Sequence, residues 1–587
     1  MKKAAAAPAS AAAVERILAT LGPREQRLRD CNLCGRQTQA AAFLASLPPE
    51  ARGWHRLEGP MPYHRSLIWQ IHEDYFRRRG HAAWLERQVP HLLTGNRALA
   101  TQKARLVHAA ARQRQQRGEL TDDEPVAVLE MASGLGYFAF HFLDAFDRID
   151  RAEGTGFAPR LRYHYTDFAR RTVEQAAAHP AFAEARAAGR LRFLQLDARR
   201  PGAARTLAGE EQPLRGLTAI VANYLYNCLP LKILRRDGAG WQEKVVELLS
   251  DPALPAPEAS REPRHWLGEH DGEPLLPRLA ERSSWRRADA ATFETPGHRQ
   301  TLEDRIAAAP EGAEGEDNLA VVSYPYGVLE SMERSLAILA TGGILLVSDM
   351  GFGEPWQIGG EGDLAPSLHG NSLAHPVDFP LLEVFSGRLG RPLHRTRGDL
   401  LLHTVMLETR SSPALAEEFA ACFLTHNRNL EAEAARREGR SLQQREEYAA
   451  ADRCYRQALE LRPGDLLCLW DLGTCRLALS DAEGALEWLR EGASWDVFGA
   501  LDFDFKSALA LYRLGRLAEA LDHFRTSCDR FPCAASWYNV GLIHEIQGRY
   551  GDAEAAFLGA LELAPDDDNA RRAAALQRLV GRSHTAI

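Results

Sequence analysis

The 587-residue sequence predicts an α/β unit with a mostly parallel sheet, followed by an all-helical repeat array. Within residues 121–412, short and nearly continuous apolar runs alternate with helical or loop segments, which is typical of parallel strands buried on both faces. After residue 441, small and large apolar residues recur at a fixed spacing, which is typical of stacked helix pairs. Because one hydrophobic core rarely serves so long a chain, we expect two or three domains.

Seven apolar runs indicate the strands of the α/β unit. Each run is short, and several end in a carboxylate. They occupy residues 126–130, 162–167, 191–197, 217–223, 319–325, 343–349 and 400–407. Most of them predict strands of one buried sheet with helices on both faces.

The remaining segments are assigned by their helical spacing or by the lack of any. Residues 1–120 are predicted as an N-terminal tail and a helical cap over the crevice of the sheet. Residues 251–317 lack clear periodicity and are predicted as a partly helical insertion in the α/β unit. Residues 413–440 are predicted as a helical linker to the repeats, which occupy residues 441–587.

The repeats have a period near 34 residues. Ala451, Ala485, Ala520 and Ala553 recur at intervals of 34, 35 and 33 residues, and a Tyr, Leu or Phe follows each after four residues. A small residue at a helix crossing and a large one a turn later resemble tetratricopeptide repeats. Such an array, an all-α solenoid, presents a concave surface, so we predict that it recruits a protein or peptide partner.

A glycine-rich turn follows the first apolar run, in the stretch Glu130-Met-Ala-Ser-Gly-Leu-Gly136. Gly134 and Gly136 allow the backbone to turn sharply into the helix that starts at Tyr137 and to approach a ligand closely. A glycine pair alone is weak evidence, because many strand-to-helix turns use glycine only for geometry.

Three acidic residues end the first three runs. The carboxyl ends of parallel strands open on one crevice, so Glu130, Asp167 and Asp197 are expected to converge. Asp167 is placed for ribose hydroxyls, Asp197 for the side of an adenine and Glu130 for an ammonium group. We therefore predict S-adenosylmethionine, a phosphate-free and cationic nucleoside, as the cofactor. The alternative for each acid is that it only caps the next helix.

Several ordered blocks between residues 61 and 408 resemble the MidA-type class I methyltransferases, whose mitochondrial relatives act in respiratory complex I assembly. The blocks are residues 128–136, 165–170, 221–230, 342–351 and 375–379. The resemblance implies a seven-stranded Rossmann-like sheet, S-adenosylmethionine as cofactor and, in some members, protein arginine side chains as acceptors. It also implies that Ala132, which replaces the first loop glycine of the family, and Asn223 contact the cofactor.

Two carboxylates of the family motif are replaced here by Tyr224 and Asn227. Paired carboxylates are the groups expected to hold a guanidinium, so their loss disfavours arginine N-methylation. Tyr224 and Asn227 predict a neutral pocket that suits an amide, a hydroxyl, an amine or a nucleobase-like acceptor. These two residues, with His375 and Asp378, are the candidate catalytic groups. The alternative is that Asp378 only caps the helix that follows it.

Charge, hydropathy and cysteine content restrict the partners and the cellular location that we expect. The formal net charge of -8 disfavours nucleic acid, and no apolar run has the length of a membrane span. The nine scattered cysteines favour a reducing compartment, so we predict a cytoplasmic location. Cys31 and Cys34 form a CxxC pair without a second pair nearby, so no metal site is predicted.

Two other functions stay open from the sequence. The altered acceptor motif is compatible with a non-catalytic scaffold, in which the repeats assemble partners. The glycine turn also fits the fingerprint of nicotinamide oxidoreductases, although Asp167 lies late for that pattern and a pyrophosphate would face Glu130.

Overall fold

The computed structural model describes residues 55–86, 88–250, 275–309, 320–357 and 364–564. The chain forms two compact units, and the boundary lies between Leu430 and Glu431. The first unit contains strands and helices, whereas the described part of the second contains only helices.

The principal strands of the first unit are numbered in chain order. They are β1 (His55–Pro62), β2 (Val126–Met131), β3 (Leu161–Asp167), β4 (Leu191–Gln195), β5 (Ala203–Thr206), β6 (Glu211–Pro213), β7 (Leu217–Asn223), β8 (Lys232–Asp237), β9 (Gly240–Ser250), β10 (Leu279–Arg287), β11 (Ala320–Tyr324), β12 (Leu339–Asp349), β13 (Leu393–Arg395) and β14 (His403–Glu408). Its principal helices are α1 (Leu67–Arg79), α2 (Arg97–Gln116), α3 (Tyr137–Glu153), α4 (Arg170–Ala178), α5 (Pro296–Ala307), α6 (Tyr326–Ile338), α7 (Phe379–Arg388) and α8 (Pro413–Phe419).

Nine strands form the main sheet, in the order β13-β14-β12-β7-β2-β3-β4-β5-β6. The five central strands from β12 to β4 are parallel, whereas β14 is antiparallel to β12. Strands β2 and β14 are buried along their whole length, as their apolar runs predict. The predicted mostly parallel sheet is confirmed. Six of the seven expected strands lie in it, and the short strands β5, β6 and β13 complete it.

A second sheet of five strands has the order β1-β9-β8-β11, with β10 also paired to β9. All of its pairs are antiparallel. Tyr63 and Trp69 are buried with residues of β8 and β9 in a separate hydrophobic cluster. This sheet therefore has its own core and supports the segment that carries α1.

The second sheet corrects two expectations. The apolar run at residues 319–325 forms β11 of this sheet and lies outside the main sheet. Residues His55–Pro62 form a strand, not part of a helical cap. An apolar run is compatible with either sheet, because its sequence does not specify the strand with which it will pair.

The second unit consists of paired helices. They are α9 (Arg428–Gln444), α10 (Tyr448–Leu461), α11 (Leu466–Ala478), α12 (Ala482–Trp495), α13 (Phe503–Arg513), α14 (Leu517–Arg530), α15 (Ala534–Ile546) and α16 (Tyr550–Leu563). The periodic alanines Ala451, Ala485, Ala520 and Ala553 are fully buried. The predicted repeat array is confirmed, and its first helix starts earlier than the sequence indicated.

Close packing between α11 and α12 makes Gly473 a sensitive position. A Cβ atom there would lie 2.4 Å from Cδ2 of Leu489. We expect Gly473→Ala to lower the free energy of unfolding by about 1–3 kcal/mol, because overpacking forces neighbouring atoms to shift. Urea unfolding of the full chain measures this effect.

Gly551 is the matched control, because it also lies in a repeat helix but a Cβ there would meet nothing within 4 Å. Gly551→Ala should be neutral or slightly stabilising. If the two alanine variants unfolded at the same urea concentration, the close-packing argument would be wrong.

Candidate cofactor and acceptor site

A cavity of about 470 Å³ lies at the carboxyl ends of the parallel strands. Its walls include the glycine-rich turn, the ends of β2, β3 and β7, and helix α1. The sequence-predicted residues that line it are Glu130, Ala132, Gly134, Gly136, Asp167, Asp197, Asn223, Tyr224, Asn227 and His375. The structure therefore brings ten of the eleven predicted residues to one site, and Asp378 is the exception.

The turn between β2 and α3 holds its backbone in an unusual conformation. Ala132, Gly134 and Gly136 have φ values of 53°, 56° and 99°. This left-handed region costs a residue with a Cβ atom about 1–2 kcal/mol, and Ala132 carries that cost. A Cβ on Gly134 would lie 3.1 Å from Cζ2 of Trp84, so only glycine fits there without displacement.

Glu130 and Asp167 are almost fully buried at the tips of adjacent strands. The hydroxyl of Tyr163 donates to Glu130 Oε2 at 2.9 Å, and burial raises the pKa of Glu130 to about 8. Asp167 accepts the backbone N–H of Ala169 at 2.9 Å and that of Gly134 at 3.4 Å. Burial also raises the pKa of Asp167, to about 6.

Asp197 lies at a more open part of the cavity. Burial opposes its ionisation, but hydrogen bonds from Arg199 outweigh that effect and lower its pKa. The two side chains form an ion pair at 3.0 Å. This carboxylate is therefore ionised and already partnered.

The sequence analysis missed Lys103, which contacts a residue of the cavity wall. Its side chain is fully buried on α2, and Nζ donates to Asn223 Oδ1 at 2.6 Å. Burial lowers the pKa of Lys103 to about 7, although the charges of Glu130 and Asp349 favour its protonated form. A lysine on the apolar face of a helix was the only signal in the sequence.

The loop after β7 carries the altered family motif. Tyr224 has a φ of 48°, and its N–H donates to Ser348 O at 3.0 Å. The Asn227 N–H donates to Asp349 Oδ2 at 3.1 Å, and burial raises the pKa of Asp349 to about 7. These contacts hold the backbone of the loop beside the cavity.

Both ring nitrogens of His375 are occupied. Nδ1 lies 3.0 Å from Leu364 O, which requires a proton on Nδ1. Nε2 is then the acceptor for the Tyr63 hydroxyl at 2.9 Å. The ring also stacks on Trp69, with the ring centroids 5.7 Å apart, and burial lowers the pKa of His375 to about 4. With these partners, His375 is a neutral wall of the cavity that has no lone pair available for a substrate proton.

Asp378 lies outside the lining of the cavity. Its side chain accepts the Leu381 N–H at 3.0 Å at the start of α7 and pairs with Arg305 at 3.0 Å. These contacts fit the helix-capping alternative.

Among the described residues, no group of histidine, cysteine and acidic side chains could hold a metal ion. Cys31 and Cys34 lie outside those residues. A search of the described helices found none long and apolar enough to cross a membrane.

The order of the parallel strands, with antiparallel β14 beside β12, and the glycine turn after β2 give the first unit a class I methyltransferase fold. In the second unit, a family model described as tetratricopeptide repeat matches residues 436–497 and 505–568. The chain thus joins a class I methyltransferase fold to tetratricopeptide repeats.

Several solved structures are similar to parts of the chain. A candidate methyltransferase from Burkholderia thailandensis, bound to S-adenosylhomocysteine, is 16% identical with a TM-score of 0.39, over 67% of this chain and 96% of that one. MamA from Desulfovibrio magneticus RS-1 is 16% identical with a TM-score of 0.25, over 27% of this chain and 89% of that one. YrrB, a tetratricopeptide protein with an unusual peptide-binding site, is 23% identical with a TM-score of 0.23, over 27% of this chain and 80% of that one. No curated protein matches the sequence.

Proposed function

We propose that this protein is an S-adenosylmethionine-dependent methyltransferase. The observation that supports it most is the convergence of Glu130, Asp167 and Asp197 on one cavity beside the glycine turn. Asp167 would accept the ribose hydroxyls, Asp197 would lie beside the adenine and Glu130 would receive the ammonium group. Buried carboxylates fit a cationic nucleoside and would repel the pyrophosphate of a dinucleotide, which disfavours the oxidoreductase alternative.

In methyl transfer, the main contribution of the protein is to align the cofactor and the acceptor. The bound cofactor supplies a methyl group on a sulfonium, which an acceptor displaces in line. The protein contributes by fixing the positions of both molecules and excluding water. Trp69 and Trp84 line the cavity and would exclude water, whereas Tyr224 and Asn227 would face the acceptor.

The acceptor is proposed to be a protein or peptide that the repeats recruit. Tetratricopeptide arrays present a concave surface that suits such a partner. Tyr224 and Asn227, the residues proposed to face the acceptor, supply no carboxylate for a guanidinium. Their neutral side chains disfavour arginine as the acceptor.

Calorimetric titration of the full chain with S-adenosylmethionine tests the cofactor assignment. Saturable binding, followed by release of S-adenosylhomocysteine on addition of an acceptor, is the expected result. Binding without release for any acceptor would favour the non-catalytic scaffold, and the absence of binding would refute the methyltransferase proposal.

A chain that ends at Leu430 should bind S-adenosylmethionine with an affinity within about twofold of the full chain. The reason is that the cavity is built entirely within the first unit. The same titration measures both chains, and circular dichroism checks that the shorter one is folded. A folded but non-binding short chain would show that the repeats are needed for the cofactor site.

A further inference from the structure

Asn223 presents a hydrogen-bond donor that no described residue accepts. Lysine can only donate, so the contact at 2.6 Å between Lys103 Nζ and Asn223 Oδ1 fixes the orientation of the amide. Its Nδ2 atom is buried, and no hydrogen-bond partner for it exists in the described part of the chain. Since Asn223 lines the cavity, a molecule bound there could supply the acceptor.

Asn227 presents the complementary group. Its side chain is 7% exposed and lines the same cavity, and its Oδ1 atom finds no hydrogen-bond donor among the described residues. Its backbone is fixed, because its N–H donates to Asp349 and its carbonyl accepts a hydrogen bond from the backbone N–H of His375 at 2.7 Å. The rigid loop therefore offers one unfilled acceptor, four residues after the unfilled donor.

Only some acceptor groups can fill both positions. A guanidinium or an ammonium has donors but no acceptor, so it would leave Asn223 Nδ2 unpaired. A carboxylate has no donor and would leave Asn227 Oδ1 unpaired. A hydroxyl can donate and accept, but only through a single oxygen. A carboxamide has separate atoms for the two positions, a carbonyl for Asn223 and an N–H for Asn227, and it is neutral like the wall formed by Trp69 and His375.

We infer that the methyl acceptor is a carboxamide, such as the side chain of glutamine or asparagine, held between Asn223 and Asn227. This inference rests on the proposed function. Asn223, which the sequence predicted as a cofactor residue, is here assigned to the acceptor carbonyl. A nucleobase edge also combines a donor with an acceptor, but the net charge of -8 disfavours nucleic acid.

The reaction balances without a further reagent. The amide nitrogen forms a bond to the methyl carbon, the carbon–sulfur bond breaks, and its electron pair stays on sulfur as S-adenosylhomocysteine leaves. The nitrogen loses one proton to solvent water. Asn227 Oδ1 orients the nitrogen through its other N–H, and Asn223 Nδ2 stabilises the negative charge that builds on the carbonyl oxygen as the proton leaves.

The test uses the full chain, methyl-labelled S-adenosylmethionine and short peptide pools with random flanks. The pools differ only in a central Gln, Asn, Glu, Lys, Arg or Ser. We expect label in the Gln or Asn pool, and acid hydrolysis should release it as methylamine. Transfer to any other pool, to a single-stranded oligonucleotide pool alone, or to no pool would overturn the inference.

Asn227→Asp is the variant that separates recognition from structure. The introduced carboxylate should lower transfer to the carboxamide pool about tenfold and raise transfer to the Lys or Arg pool. A merely structural role would lower all pools together. Calorimetry on the wild type distinguishes failure of the proposed function from failure of the carboxamide inference. If the protein does not bind S-adenosylmethionine, the proposed function is refuted. If it binds the cofactor but methylates a group other than a carboxamide, only the carboxamide inference is refuted.

Discussion

Replacing Asp167 with alanine should weaken the binding of S-adenosylmethionine by about 3 kcal/mol, or roughly a hundredfold in Kd. The buried carboxylate would make two charge-assisted hydrogen bonds to the ribose hydroxyls, and alanine makes neither. The backbone N–H groups of Gly134 and Ala169 would also lose their acceptor, which loosens the glycine turn. Calorimetric titration of the purified variant measures the loss.

Two further variants separate these contributions. Asp167→Asn retains one oxygen, which can accept only one of the two backbone N–H groups, and it has no charge, so its affinity should fall between those of the wild type and the alanine variant. Asp144→Ala removes an exposed carboxylate on α3, outside the cavity, and should leave the affinity unchanged. Equal affinities for Asp167→Ala and Asp144→Ala would contradict the ribose assignment.

The affinity for S-adenosylmethionine should increase with pH. The pKa values of Asp167 and Glu130, raised to about 6 and about 8 by burial, define the window. Between them Glu130 is mostly protonated and must lose its proton to pair with a cation, so affinity should rise about tenfold per pH unit. The rise should end near pH 7.7, where the ammonium of the ligand begins to titrate. Isothermal titration at several pH values measures the slope.

Lys103 changes the size of this effect but keeps its sign. Its pKa of about 7 means that it loses its charge in the same window, which further favours a bound cation. Glu130→Gln has no titrating carboxyl, so most of the slope should disappear in this variant. A slope that Glu130→Gln leaves unchanged would show that another group is responsible.

The glycine turn and the strand-end acids were accessible from the sequence because each depends on local chemistry. Apolar runs mark buried strands, and residues after them must lie at a sheet edge. The same reasoning could not find Lys103, since only its hydrogen bond to Asn223 and the nearby charge of Glu130 connect it to the site. The same reasoning also placed the run at residues 319–325 in the main sheet, because the sequence does not show with which strand it pairs.

His375 shows that the sequence also does not reveal which hydrogen-bonding atoms are already occupied. Its position in a family block made this histidine a candidate catalytic group. Its partner Tyr63 lies 312 residues earlier in the chain, and Leu364 and Trp69 complete its surroundings. No local pattern indicates that both of its nitrogens are occupied.

The sequence by itself determined the two kinds of architecture, the glycine turn and the acidic strand ends, because periodicity and chain order carry that information. Only the tertiary structure decided which polar atoms are satisfied. Burial raised the pKa of Glu130, and long-range contacts gave hydrogen-bond partners to both ring nitrogens of His375. In the described part of the chain, the same packing left one donor on Asn223 and one acceptor on Asn227 without a protein partner. Hydrogen-bond partners and desolvation arise from residues brought together by folding, so they cannot be read along the chain.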